Sequence, residues 1–89
     1  MAVPSPQLVA LGATIRRARR SLDLSQEALA DRAGLSYKHV GEIERANKDP
    51  RITTVFRLAS ALELRAGELF ARYDERLDGG APLSGQSTT

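Results

Sequence analysis

The sequence predicts an all-α protein, a compact domain of five short helices, and three observations predict it. Apolar residues recur at spacings of three and four along most of the chain. No stretch alternates with a period of two, so strands are not expected. The hydrophobic fraction is 42% with two Phe, two Tyr and no Trp, so the core is built from Leu, Ile, Val and Ala, which suit closely packed helices.

Pro4 and Pro6 mark a short irregular lead-in over residues 1–7. Leu8, Leu11, Ile15, Ala18 and Leu22 then trace the apolar stripe of a first helix, closed by Leu22-Asp23-Leu24 with Asp23 as a left-handed terminating residue. Ser25 has N-cap chemistry and Glu27 places negative charge in the first turn of a second helix. Its stripe is Ala28, Leu29, Ala30 and Ala33, and Gly34 stops it. Ser36 caps a third helix that runs to about Ala46, with Val40 and Ile43 facing inward. The cluster Asn47-Lys48-Asp49-Pro50 is a turn. A fourth helix begins at Thr53 or Thr54 and buries Val55, Leu58, Ala59 and Leu62. A fifth covers about Ala66 to Leu77 through Leu69, Phe70, Tyr73 and Leu77. The domain is therefore expected over residues 8–77. A flexible tail, rich in Gly, Ser and Thr, is expected over 78–89 because it carries too little apolar surface to order itself.

Composition narrows the function. The 89 residues suit a single domain. With no Cys and one His, disulfides, thiolate metal sites and imidazole chelation are not expected, and no cofactor is implied. General acid–base work needs paired titratable groups in a shielded cleft, and nucleophilic catalysis needs a Ser or Cys beside a base. The carboxylates here are scattered over helix surfaces, so an enzyme is not expected. The N-terminus lacks the basic and apolar blocks of a signal peptide and no apolar stretch approaches a bilayer span, so a cytoplasmic protein without membrane contact is expected. The net charge is +2. Its distribution says more than its size: the first twenty residues carry Arg16, Arg17, Arg19 and Arg20 and no acid, whereas residues 21–49 are slightly acidic. Binding to nucleic acid therefore has to come from placed side chains rather than bulk charge.

The join between the second and third helices carries the functional reading. Two short helices separated by Gly34-Leu35-Ser36 form a helix-turn-helix, since so tight a turn forces them to cross steeply. Ala30 stands where only a small side chain fits, and Gly34 supplies the positive φ. Val40 and Ile43 pin the third helix to the core, and its opposite face shows Tyr37, Lys38, Gly41, Glu42 and Arg45.

With those residues in place, the sequence resembles the phage-repressor and Cro-like (Xre-type) helix-turn-helix family. The matching text is Leu24-Ser25-Gln26-Glu27-Ala28-Leu29-Ala30, Ala33-Gly34-Leu35-Ser36, Ile43-Glu44-Arg45, Pro50 and Leu69-Phe70, spread over residues 8–70. It looks especially like the small stand-alone members, among them the controller proteins of restriction–modification systems. The resemblance implies a lambda-repressor-like fold. It also implies a homodimeric transcriptional regulator on a two-fold symmetric double-stranded DNA operator, with two recognition helices about 34 Å apart. Gln26 would contact a phosphate; the alternative is that it only decorates the start of the second helix. Tyr37 and Lys38 lie at the end that penetrates deepest, where Lys38 can donate to guanine and Tyr37 can meet a thymine methyl. Glu42 either accepts from a cytosine amino group or repels phosphates and so enforces register. Ser36 caps the helix and reaches a phosphate. His39 either contacts a phosphate or packs as a half-buried ring. Arg45, Asn47 and Lys48 would clamp the DNA backbone, and Arg51 would reach a phosphate or the minor groove.

The family pattern also pairs Arg19 with Glu44 in a partly buried salt bridge, while Arg16, Arg17 and Arg20 are read as solvent-facing, or with one of them near a phosphate. Two positions depart from the pattern. Gly41 interrupts the recognition helix at a cost of about 1 kcal/mol relative to Ala. Ala46 replaces a terminating Gly, so Asn47 is expected to take the left-handed cap. For the dimer, Tyr73 and Leu77 with Val55 or Phe56 form the expected apolar contact. The competing reading is a protein-interaction module, such as an antitoxin or bridging subunit, in which case the third helix would show an apolar patch. No small-molecule effector is implied.

Overall fold

Ser5 opens the first helix: its Oγ accepts the Leu8 amide at 3.0 Å, and Pro6 follows at the first helical position. A proline there sacrifices nothing, because the amide it lacks would have no intrahelical partner. The helix consequently starts two residues before the expected boundary, and Pro6 belongs to it rather than to an irregular lead-in. The computed structural model describes residues 5–78. It contains α1 (Pro6–Ser21), α2 (Gln26–Ala33), α3 (Tyr37–Glu44), α4 (Ile52–Ala61) and α5 (Ala66–Leu77), with no strand among the described residues. Of the tail expected over 78–89, Asp78 is the C-cap of α5 and residues 79–89 lie outside the described residues.

The first four helices end alike. The amide of the residue after a left-handed turn bonds back five residues: Leu24 to Arg19 at 3.1 Å, and Leu35 to Ala30, Asn47 to Glu42 and Leu64 to Ala59 each at 2.9 Å. This is the Schellman closure, which satisfies carbonyls that the helix leaves over. The left-handed residues are Asp23 (φ 57°), Gly34 (φ 70°), Ala46 (φ 63°) and Glu63 (φ 62°). Ala46, not Asn47, therefore takes the left-handed position, and α3 stops at Glu44 with Arg45 as its C-cap. Burial explains the choice: Ala46 is packed inside while Asn47 is exposed, so the small side chain is the one turned inward. Past this turn α4 begins at Ile52, one residue ahead of the expected Thr53, with Arg51 as a cap whose side chain makes no capping bond.

Helix α1 packs on α3 and α5, α2 on α3 and α4, and α4 on α5. Ile15, Leu29, Val40, Ile43, Leu58 and Leu69 are fully buried at the centre. Each such side chain contributes about 1.5–3 kcal/mol relative to exposure, which makes this aliphatic cluster the main support of the fold. Helix α1 can approach α3 closely because of Gly12. A Cβ at that position would stand 2.6 Å from the Ile43 carbonyl oxygen and 2.7 Å from that of Glu44. The two backbones touch there, at a place that no local sequence signal singles out. Val55 is buried in the core, so of the two α4 residues expected at a subunit contact only Phe56 faces outward, 47% exposed. Tyr73 is half-buried with its ring edge-on to Phe70, centroids 6.5 Å apart.

Candidate nucleic-acid interface

Two serines set the helix-turn-helix. Ser25 Oγ accepts the Ala28 amide at 2.9 Å and opens α2, and Ser36 Oγ accepts the His39 amide at 3.0 Å and opens α3. Between them Gly34 holds φ 70°, a conformation that costs an L residue about 1–2 kcal/mol. Ala30 is buried under the turn, with Leu35 half-buried beside it. This geometry leaves Tyr37 and Lys38 standing free at the N-terminal end of α3, Tyr37 60% exposed. His39 is half-buried and Val40 wholly so.

A charged cluster fixes the other end of α3. Arg19 Nε donates to Glu44 Oε2 at 2.7 Å and Arg19 Nη2 donates to Oε1 at 3.0 Å, a bidentate pair buried between α1 and α3. The third guanidinium nitrogen, Nη1, donates to the Leu24 carbonyl at 2.9 Å and so ties the α1–α2 turn to the same point. The hydrogen bonds that Arg19 donates to Glu44 hold the guanidinium pKa above its ordinary value, against the opposing effect of burial. Gln26 joins them: its Nε2 donates to Glu44 Oε1 at 3.0 Å. The Gln26 amide thus bridges the start of α2 to the end of α3, a role that the sequence did not suggest.

Gly41 is buried rather than displayed. A Cβ there would lie 3.0 Å from Arg45 Nη1 and 3.6 Å from Gln26 Oε1, so the Arg45 guanidinium folds back along α3 into the space a side chain would fill. Glu42 is turned toward the loop, with Lys48 Nζ 3.9 Å from its carboxylate. Its charge is therefore shared with one of the expected backbone clamps. Asn47, Lys48 and Arg51 are exposed along the α3–α4 connection. The structure thus joins Gln26 with Glu44, Gly41 with Arg45, and Glu42 with Lys48, and among the described residues leaves Tyr37 and Lys38 unengaged at the tip.

Fold and motif together define a helix-turn-helix domain of the kind that regulates transcription. The helix-turn-helix family model matches residues 15–69. The chain is 34% identical over 65 residues to the HTH-type transcriptional regulator y4dJ of Sinorhizobium fredii, covering 73% of this chain and 84% of that one. It is also 34% identical over 62 residues to the control protein C.SmaI of Serratia marcescens, covering 70% and 74%. Among solved structures, the restriction–modification controller protein C.AhdI of Aeromonas hydrophila is similar at 38% identity and TM-score 0.69 over 71% of this chain and 96% of that one. A point mutant of the controller protein C.Esp1396I, at 20% identity, shares the fold at TM-score 0.83, over 89% and 100%. The chain belongs to the helix-turn-helix family of DNA-binding transcriptional regulators, and the proteins it resembles include restriction–modification controllers.

Proposed function

We propose that the protein is a homodimeric regulator that binds a two-fold symmetric operator, each α3 entering one major groove. The observation that carries this reading is the exposure of Tyr37 and Lys38 at the tip of a helix whose other end is locked by the Arg19–Glu44–Gln26 cluster. A rigid helix with two exposed, chemically distinct side chains at its leading end is what base readout needs. Tyr37 and Lys38 read bases, and Glu42 tests register from beside them. Ser36, Arg45, Asn47, Lys48 and Arg51 face phosphates along the flanks. Gln26 keeps its place near a phosphate through the N–H that Glu44 does not use, and His39 lies just behind the tip. The protein works in the cytoplasm without cofactor, effector or catalytic step.

The exposed face of α3 carries Tyr37, Lys38 and Arg45 and no apolar patch, which favours DNA over a protein partner at this surface. Of the exposed apolar residues outside α3, which are Val9, Ile52, Phe56 and Leu77, the pair Ile52 and Phe56 lies one turn apart on α4 and suits a second copy of the chain.

Selection of duplexes from a random library by the purified protein at near-physiological salt tests the proposal. A palindromic motif is expected, with binding weakened by Tyr37→Ala and by Lys38→Ala. Recovery of no motif, with binding that depends on salt alone, would overturn the reading and return the weight to protein interaction.

A further inference from the structure

An open cleft of about 640 Å³ lies where α1, the end of α3 and the end of α5 meet, beside the surface described above and sharing Arg45 with it. Its rim is formed by Arg16, Arg17 and Arg20 of α1, Arg45 at the end of α3 and Arg76 of α5, over a floor of Val9, Ala13 and Ala46. One carboxylate lines it, Glu44, and that carboxylate is already paired with Arg19 at 2.7 Å. None of the five rim arginines has a carboxylate within 4.0 Å among the described residues. The acids near the end of α5, Asp74, Glu75 and Asp78, do not line the cleft.

Such an arrangement works against the protein's own stability. Arg16 and Arg20 stand one helical turn apart with like charge, α1 contains no acid to relieve them, and Arg76 is brought to the same opening from the far end of the domain. Guanidinium groups converging on one concavity without protein partners match the geometry of phosphate oxygens, which accept bidentate donors.

We propose that this cleft is a phosphate-binding site. The phosphates belong either to duplex DNA flanking the half-site or to a free oligophosphate, and continuity favours DNA. Arg45 lines the cleft and also lies against Gly41 beside Gln26, so one side chain joins it to the recognition surface. The DNA form of the inference rests on the operator-binding reading and widens its footprint beyond the bases that α3 reaches. These phosphate contacts carry affinity and no sequence preference.

The test uses the full chain with Arg16, Arg17 and Arg20 all changed to Gln. All three side chains are exposed, and thermal unfolding checks that the variant folds. A companion with the same three changed to Lys keeps the charge. On a duplex selected by the wild type, the plot of log affinity against log salt is expected to flatten by about 0.9 for every phosphate that the Gln variant no longer neutralises. The Lys variant should keep most of the slope, and the selected motif should not change. If slope and motif are unchanged but the wild type binds inorganic tripolyphosphate at near-physiological salt and the Gln variant does not, the site takes free phosphates. Unchanged slope together with no tripolyphosphate binding overturns the inference. A wild type that selects no motif at all would instead count against operator binding, and the tripolyphosphate titration then decides the cleft alone.

Discussion

Arg19 and Glu44 form a bidentate ion pair across the α1–α3 interface, with side chains only 10% and 2% exposed. Glu44 also accepts from Gln26, so one carboxylate holds three helices in mutual orientation. Removing one partner leaves an uncompensated charge in a site that water scarcely reaches. Arg19→Ala is therefore expected to cost about 3–5 kcal/mol, read as a fall in the midpoint of chemical denaturation. The double change Arg19→Met with Glu44→Leu should cost clearly less than either single change, because no buried charge is stranded. The guanidinium's raised pKa means its contribution is complete at all pH values below the ordinary arginine range and is lost only above it. The effect of Arg19→Ala should accordingly be constant from neutral to mildly alkaline pH. Equal stability of Arg19→Ala and wild type would show that the pair contributes nothing.

Gly12 and Gly67 make opposite predictions from the same substitution. An added methyl at Gly12 would meet two backbone carbonyl oxygens at 2.6 and 2.7 Å, and neither can move without prising α3 from α1. Gly12→Ala is expected to destabilise by about 1–3 kcal/mol, with a measurable loss of DNA affinity because α3 shifts. At Gly67, on the first turn of α5, nothing lies within 4 Å of the added atom. Gly67→Ala should raise stability by about 0.5–1 kcal/mol through helix propensity alone. Thermal unfolding of the two variants side by side decides the matter; a harmless Gly12→Ala would mean that the helices do not touch there.

Much of this architecture is legible because it rests on local chemistry. Ser25, Gly34 and Ser36 declare the ends of α2 and α3 by capping and by positive φ, and the stripes through Ile15, Leu29, Ile43, Leu58 and Leu69 declare the buried faces. What stays hidden depends on partners distant in sequence. Gly12 carries no local signal, and its role is seen only with α3 against it. Gly41 reads as displayed until Gln26 and Arg45 are seen around it. The arginines of α1 read as solvent-facing, or with one near a phosphate, and their shared cleft stays hidden because Arg76, which completes it, is supplied by α5. The left-handed turn at Ala46 is hidden for a different reason: side-chain preference favours Asn47, and tertiary burial of Ala46 outweighs it.

The repeated Schellman closures give a further prediction. Glu63 holds φ 62° between α4 and α5, a backbone conformation better suited to glycine. Its side chain makes one ion pair, with Arg32 at 3.4 Å, and both groups are largely exposed, so the pair adds little. Glu63→Gly is expected to stabilise by about 1 kcal/mol while leaving DNA binding unchanged, since Glu63 is not among the residues assigned to the DNA surface. A drop in denaturation midpoint would mean that the ion pair or the stiffer unfolded chain outweighs the strain.

Phe56 gives the sharpest test of self-association. It stands 47% exposed on α4, and Ile52, one turn before it, is 54% exposed. Ile52 lines a mostly apolar groove of about 300 Å³ with Leu8, Leu11, Val55, Phe70 and Tyr73, and Gln7 and Asp49 are its polar members. Two exposed aliphatic and aromatic side chains next to such a groove cost solubility unless another surface covers them. A two-fold contact would place each protomer's Phe56 and Ile52 against the other's same face, as isologous interfaces require. Phe56→Glu should leave the monomer folded, because the side chain is not part of the core, yet put two like charges across the dyad. Sedimentation of the wild type is expected to show dimers at micromolar concentration, and of Phe56→Glu to show monomers. On a palindromic duplex the variant should lose affinity far more than on an isolated half-site, because only the palindrome gains from joining two copies. A wild type that saturates its operator as a strict monomer would refute the dimer outright. Dimers that persist in Phe56→Glu would move the interface to another face, with Leu77 on α5 the next residue to change.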